Sequence, residues 1–228
     1  MDYYPQSSRP NYPRVTKILE ATENAEDKER LRKWQHKMNS IADKKGSPTA
    51  NQITEEAADK GTVFHEAIKN YLSKGKEPHF SSLSYRTLCG DEQLNRWNNA
   101  LPYLKIIKPN VLCVEQEVFS DKLQYIGHLD CLAWDGKKLI LPDWKTSARF
   151  KKRAWIERHF IQGAAYAIAA YECGVAPIVP SEIHIYIFSP NKAQLFIEDF
   201  AKFGPIWLER LKQFKALKES EIKIPVIA

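Results

Sequence analysis

The sequence predicts an α/β protein with a central mixed sheet flanked by helices and an N-terminal helical layer. Three observations predict it. Apolar residues recur at helical spacing up to about residue 108, the period turns to alternation after Pro109, and an Ala-rich helical segment separates three strands from two more. A chain of 228 residues with 43% apolar and 27% charged side chains has ordinary globular usage. Residues 1–228 read as one domain, with a mainly helical region over 1–108, an α/β core over 109–220 and a tail over 221–228.

The elements follow in order. Residues 1–13 carry three prolines and read as an irregular arm. From Ala25 to about Lys45, Leu31, Trp34, Met38 and Ile41 lie at helical spacing, giving an amphipathic helix with a basic outer face. A second helix runs from about Asn51 to Leu72, with Ile53, Ala57, Phe64, Ile68 and Tyr71 on one side and Gly61 in its interior. Asp91 to Lys108 forms a third, bent at Pro102. Strands over about 111–119, 124–134 and 138–145 make a β-meander. A very apolar helix then spans about Lys152 to Cys173, strands cover 181–188 and 194–200, and a last helix runs from about Pro205 to Lys218. The tail after Glu221 is expected to be loosely held.

Composition excludes several classes. No apolar run approaches the roughly 18 residues of a membrane span, so no membrane partner is expected. Cys89, Cys113, Cys131 and Cys173 include no CxxC pair, which speaks against a zinc knuckle or a disulfide framework. Neither a secretory signal nor an Arg-rich transit segment is read at the start, so a cytoplasmic, bacterial or phage-encoded protein is expected. Thirty-four Lys and Arg against 28 Asp and Glu give a net charge of +6, which suits a polyanionic partner without requiring one. Nothing in the sequence identifies a protein partner.

The chemistry concentrates between Glu115 and Lys145. Asp135-Gly136 between two apolar strands signals a two-residue hairpin turn. That turn sets Trp134 opposite Lys137, and so Asp130 opposite Leu141, His128 opposite Asp143 and Ile126 opposite Lys145. Asp130, Asp143 and Lys145 then project from one side of the sheet. A turn centred on Asp121-Lys122 adds Glu115 opposite His128 and Glu117 opposite Ile126, on the same face. Most charges on a strand are simply solvated. Carboxylates sharing one site repel unless a cation lies between them, and hard oxygen donors without thiolate point to Mg²⁺, with Mn²⁺ as a substitute. A protonated Lys145 is no ligand. Its tasks are to orient or deprotonate an attacking water and to stabilise charge on phosphorus.

These residues are recognisable. Gly127-His128-Leu129-Asp130, twelve intervening residues and Asp143-Trp144-Lys145-Thr146 resemble the core signature of the RecB-type branch of the PD-(D/E)XK nucleases. Gly61-Thr62-Val63-Phe64-His65 resembles its GxxxH motif, and Gln162-Gly163-Ala164-Ala165-Tyr166 its QxxxY motif. The run from Pro13 to Leu19, Trp34, and Tyr125 to Ser147 is similar to the family of mitochondrial genome maintenance exonucleases and its bacterial or phage relatives. The resemblance covers about 14 to 170.

It implies a restriction-endonuclease-like core and catalysis by Asp130, Asp143 and Lys145, with Glu115 or Glu117 as accessory acid and Gln162 and Tyr166 in support. His65, Asp130, Asp143 and the main-chain carbonyl of Trp144 would bind the metal. It also implies hydrolysis of DNA from an end, with single strands preferred and the N-terminal helical region guiding the strand. Gly61 and His65 share a helix face, as do Gln162 and Tyr166, whose polar ends need partners such as Lys145 or a phosphate. One branch carries a four-cysteine iron-sulfur cluster with three cysteines beyond the QxxxY helix. Only Cys173 lies there, so that cluster is expected to be absent.

Arg149, Lys151, Lys152 and Arg153 follow the active strand and are candidates for holding DNA phosphates, although a solvated loop has the same composition. Trp34, Trp97 and Trp155 could stack on bases, but Trp34 and Trp97 lie at spacings typical of a core. The expected function is a Mg²⁺-dependent DNA exonuclease. Its rivals are a double-strand-resecting or endonucleolytic enzyme on the same site and a DNA-binding module without catalysis.

Overall fold

The computed structural model describes residues 8–78 and 83–222, with side chains described for 8–78 and 91–220. Residues 1–7 of the expected arm, the Cys89 side chain and residues 223–228 of the expected tail lie outside the described residues. Helices and strands follow in the order α1 (Val15–Ala21), α2 (Ala25–Lys45), α3 (Ala50–Lys74), α4 (Leu83–Ile107), β1 (Val111–Ser120), β2 (Tyr125–Asp135), β3 (Lys138–Thr146), α5 (Glu157–Glu172), β4 (Glu182–Phe188), β5 (Ala193–Asp199) and α6 (Phe200–Ile222).

The five strands form one mixed sheet in chain order. β1, β2 and β3 are antiparallel neighbours, α5 crosses over to place β4 parallel to β3, and β5 returns antiparallel to β4. An α/β protein with a mixed sheet and an N-terminal helical layer is therefore what the chain forms. Each face of the sheet has its own core. Val118, Tyr125, Leu129, Leu132, Leu139, Leu141, Ile183 and Ile185 pack with α1, α5 and α6. Cys131, Ala133, Ile140, Trp144, Tyr186 and Phe188 pack with α3 and α4.

Several elements differ from expectation for identifiable reasons. α1 has no side-chain cap at Arg14 to signal its start, and it is held by burial of Val15, Ile18 and Leu19. α6 starts at Phe200, because Phe203, Trp207, Leu211 and Phe214 form one buried stripe. α5 starts at Glu157 and not near Lys152. Arg153–Trp155 is instead a short 3-10 turn, with Arg153 drawn to Glu198 on β5.

Both hairpins are shifted by two residues. Asp135 pairs with Lys138 and Trp134 with Leu139, so the turn is Gly136-Lys137, with Gly136 at φ 60 supplying the left-handed position. Ser120 pairs with Tyr125, so the first loop holds four residues and Glu117 faces His128. A shift of two preserves the face, whereas a shift of one would invert it.

Candidate metal and catalytic site

The site begins where the sheet is irregular. On β2, Leu129 enters one core and Cys131 the other, although residues two apart normally share a face. On β1 the same break falls between Val114 and Val118, and Glu115 between them has φ 49. Glu115 and Asp130 thus occupy one distorted rung between the pairs Val114 to Cys131 and Gln116 to Leu129. Next to it the β2–β3 ladder, paired from Ala133 to Asp135, gives way. There the Trp144 N–H donates to Asp130 Oδ2 at 2.7 Å, a carboxylate standing in for a strand carbonyl.

α3 reaches this opening with His65. His65 Nδ1 lies 3.5 Å from Glu115 Oε1 and 3.7 Å from Asp130 Oδ1, and His128 Nε2 lies 3.1 Å from Glu115 Oε2. One ligand atom each from His65, Glu115 and Asp130 falls within 4.8 Å of the other two. Burial pushes the Glu115 carboxyl up, but hydrogen bonds from His128 and His65 outweigh it and hold it at about 2. Burial works against a charged His65, yet the neighbouring Asp130 and Glu115 raise its pKa. Two acids and an imidazole held close in a partly buried pocket can accommodate a divalent cation.

Asp143 and Lys145 come from the other side. Their β4 partners Ile185 and Ile187 belong to the core beneath α5, so the pleat turns both side chains toward α5. Asp130 stands at the break in the alternation of β2, and Asp130, Asp143, Lys145 and His65 lie close enough for their charges to act on one another. Lys145 Nζ is 2.9 Å and 2.7 Å from the two Asp143 oxygens. Asp143 is 1% exposed, and burial pushes its carboxyl up to about 6 against the pull of Lys145, with the Asp130 charge adding to the rise.

α5 closes this side. Gln162 Nε2 donates to Tyr166 Oη at 2.8 Å, which joins the two polar ends that share this helix face. Tyr166 packs against Gly127, where an added Cβ would be 2.3 Å from ring atom Cε1.

The sequence reading left Glu115 or Glu117 open and missed two histidines. The structure brings Glu115 and not Glu117 into the cluster; Glu117 Oε1 accepts from the Ser8 N–H instead. His128 braces Glu115, and its place two residues before Asp130 was a usable signal. His159, three residues before Gln162 on the same helix face, sits near Lys145, Lys151 and Arg158; burial lowers it to about 3, and those cations add to the effect.

Of the basic segment, Arg149 and Lys152 are exposed and Lys151 and Arg153 half-buried. Arg153 donates to Glu198 at 2.8 Å and covers the Phe160 ring at 4.3 Å, so it serves packing. Trp97 is buried against Phe64 and Tyr71, Trp34 is half-buried, and Trp155 is exposed. The Cys113, Cys131 and Cys173 thiols are free. Among the described residues no helix is long and apolar enough to cross a membrane.

The chain is similar to curated proteins named mitochondrial genome maintenance exonuclease 1. It is 27% identical over 230 residues to that of Mus musculus, covering 95% of this chain and 62% of the relative. It is 26% identical over 229 residues to that of Xenopus tropicalis, covering 92% and 59%, and 27% identical over 226 residues to that of Homo sapiens, covering 92% and 60%. The chain thus spans about three fifths of the length of these relatives. No family model matches it. Among solved structures it is similar to the crystal structure of SSO0001, with a TM-score of 0.34 and 14% identity, covering 73% of this chain and 96% of that one. The expectation of a bacterial or phage-encoded cytoplasmic protein is overturned, because these relatives are animal proteins named for the mitochondrial genome.

Proposed function

We propose that this chain is a divalent-metal-dependent deoxyribonuclease that hydrolyses phosphodiester bonds from a DNA end and prefers single strands. The observation that carries the reading is the convergence of His65, Glu115 and Asp130 on one point, with the Asp143 and Lys145 pair across the strand opening. Similarity to exonucleases along most of the chain supports it. Residues 1–108 and 109–220 act in it as one nuclease domain.

The donors fit Mg²⁺ or Mn²⁺, since Glu115 and Asp130 offer hard oxygens and His65 one nitrogen within a 4.8 Å span. Asp143 and the Trp144 carbonyl complete the proposed ligand set. When bound, such an ion polarises a phosphoryl oxygen and acidifies water. The remaining work belongs to the chain. Lys145 Nζ, held by Asp143, orients the attacking water and meets the negative charge that gathers on phosphorus. His159, among cations and uncharged at neutral pH, offers an N–H to a phosphate oxygen. His128 keeps Glu115 aligned. Arg149, Lys151 and Lys152 attract the strand.

The test is digestion of end-labelled single strands, duplex and closed circles with Mg²⁺, Mn²⁺ or EDTA, beside Lys145→Ala protein. Loss of label from linear single strands by the wild type alone, stopped by EDTA, is expected. Cleavage of closed circles would replace the exonuclease by an endonuclease. Binding without any cleavage would leave a DNA-binding module.

A further inference from the structure

The segment that follows β3 carries two exposed aromatic rings to which no role has been given. Between Thr146 and Ile156 stand Arg149, Lys151, Lys152 and Arg153 with no acidic residue. Two large aromatic rings lie among them, Phe150 at 55% and Trp155 at 47% exposure. Burial is the usual fate of such rings, and here β5 prevents it. The Lys151 N–H donates to Gln194 Oε1 and Gln194 Nε2 donates to the Lys151 carbonyl, both at 2.9 Å, while Arg153 is tied to Glu198. Pinned at 151 and 153, the segment turns Phe150, Lys152 and Trp155 outward.

Each ring also carries an ammonium. Lys192 Nζ is 4.4 Å from the Phe150 centroid and Lys152 Nζ is 5.5 Å from that of Trp155. Phe150 lies five positions after Lys145, so their Cα atoms are at most about 18 Å apart. Phe150 is therefore within reach of a strand engaged at Lys145, a few nucleotides along.

We propose that Phe150 and Trp155 form a stacking platform for the unpaired bases of a DNA strand next to the catalytic centre, with Lys152 and Lys192 meeting the adjoining phosphates. The proposal rests on the nuclease reading and gives its single-strand preference a physical source. Flat rings take any base in a sequence-tolerant way, whereas a paired duplex keeps its base faces inside the stack. Charge complementarity selects a nucleic acid over an apolar protein surface.

The test measures equilibrium binding of a labelled oligonucleotide and of an abasic strand of equal length, in EDTA so that neither is cut. In the Phe150→Ala/Trp155→Ala protein the Kd for the base-bearing strand should rise at least about fivefold. The Kd for the abasic strand should stay unchanged. Phe150→Tyr/Trp155→Phe, which keeps both rings, should bind like the wild type. Lys152→Ala/Lys192→Ala should weaken both strands alike and lower the salt dependence.

Equal affinity for both strands, or no change on removing the rings, overturns the platform while wild-type cleavage leaves the nuclease standing. A change of oligomeric state on removing the rings, with DNA binding intact, also overturns it and assigns the patch to a second copy of the chain. Failure of the wild type to bind or cut any DNA ends both readings.

Discussion

A methyl group on Gly127 would sit 2.3 Å from Cε1 and 2.6 Å from Cδ1 of Tyr166, closer than any side chain tolerates. Gly127→Ala is expected to cost about 1–3 kcal/mol, the usual range for overpacking. It should also cut turnover, because the Tyr166 ring and its bonded Gln162, proposed to support catalysis, must shift. Denaturant melts and rates on the double variant with Tyr166→Leu check this: stability should return and turnover should not. The motif around Gly127 was legible in the sequence, but its reason was not, since the contact joins residues 39 apart in number that only the packed helix brings together.

His159 yields a pH prediction. Its folded pKa of about 3 lies below the ordinary histidine value near 6.5, so the unfolded chain binds the extra proton between those limits. Stability from this site is present above about pH 6.5 and is lost as pH falls toward 3. His159→Gln should flatten that acid loss, read as the melting temperature against pH; a parallel curve would sink the assignment. No periodicity marked this residue, because burial defines its setting together with Lys145 and Lys151, which the fold brings against the helix.

At the scale of elements, α3 shows what local signals decide. Thr49 accepts from the Gln52 N–H at 3.3 Å and Gln52 Oε1 accepts from the Thr49 N–H at 2.8 Å, a reciprocal cap. Thr49→Ala should cost about 1 kcal/mol yet leave the catalytic rate unchanged, since His65 lies about four turns away. Thermal melts and steady-state rates separate the two. Long periodic helices and alternating strands were read correctly for the same reason, since their pattern is carried by near neighbours. The register of the β2–β3 hairpin was misplaced by two residues because Asp-Gly can occupy different positions of a tight turn, and Gly136 takes the first position of the observed loop; that of the β1–β2 hairpin was misplaced because its loop holds four residues and not two. Parity survived that error. The break in alternation beside Asp130 was not legible, because it accompanies a left-handed residue, Glu115, on the neighbouring strand and no residue type announces that conformation.

For the whole molecule, two cores lie on opposite faces of one sheet, and the candidate site draws from both. His65 belongs to the α3 side, Asp143 and Lys145 to the α5 side, and Asp130 stands at the break between them. Saturating Mn²⁺ or Mg²⁺ should raise the melting temperature of the wild type, by about 2.7 kcal/mol of stability at a hundred times Kd. Asp130→Asn should abolish the gain; an equal gain in the variant would place the ion elsewhere.

The Asp130 carboxylate is both a rung of the sheet, through its hydrogen bond from the Trp144 amide, and a member of the candidate ion pocket. That dual duty makes the amide a built-in gauge of occupancy. Cation arrival withdraws electron density from the shared carboxylate, so the Trp144 amide proton should shift upfield and exchange more slowly as the two layers are clasped. A single nitrogen-labelled tryptophan resonance can therefore report loading of the centre without any substrate being turned over.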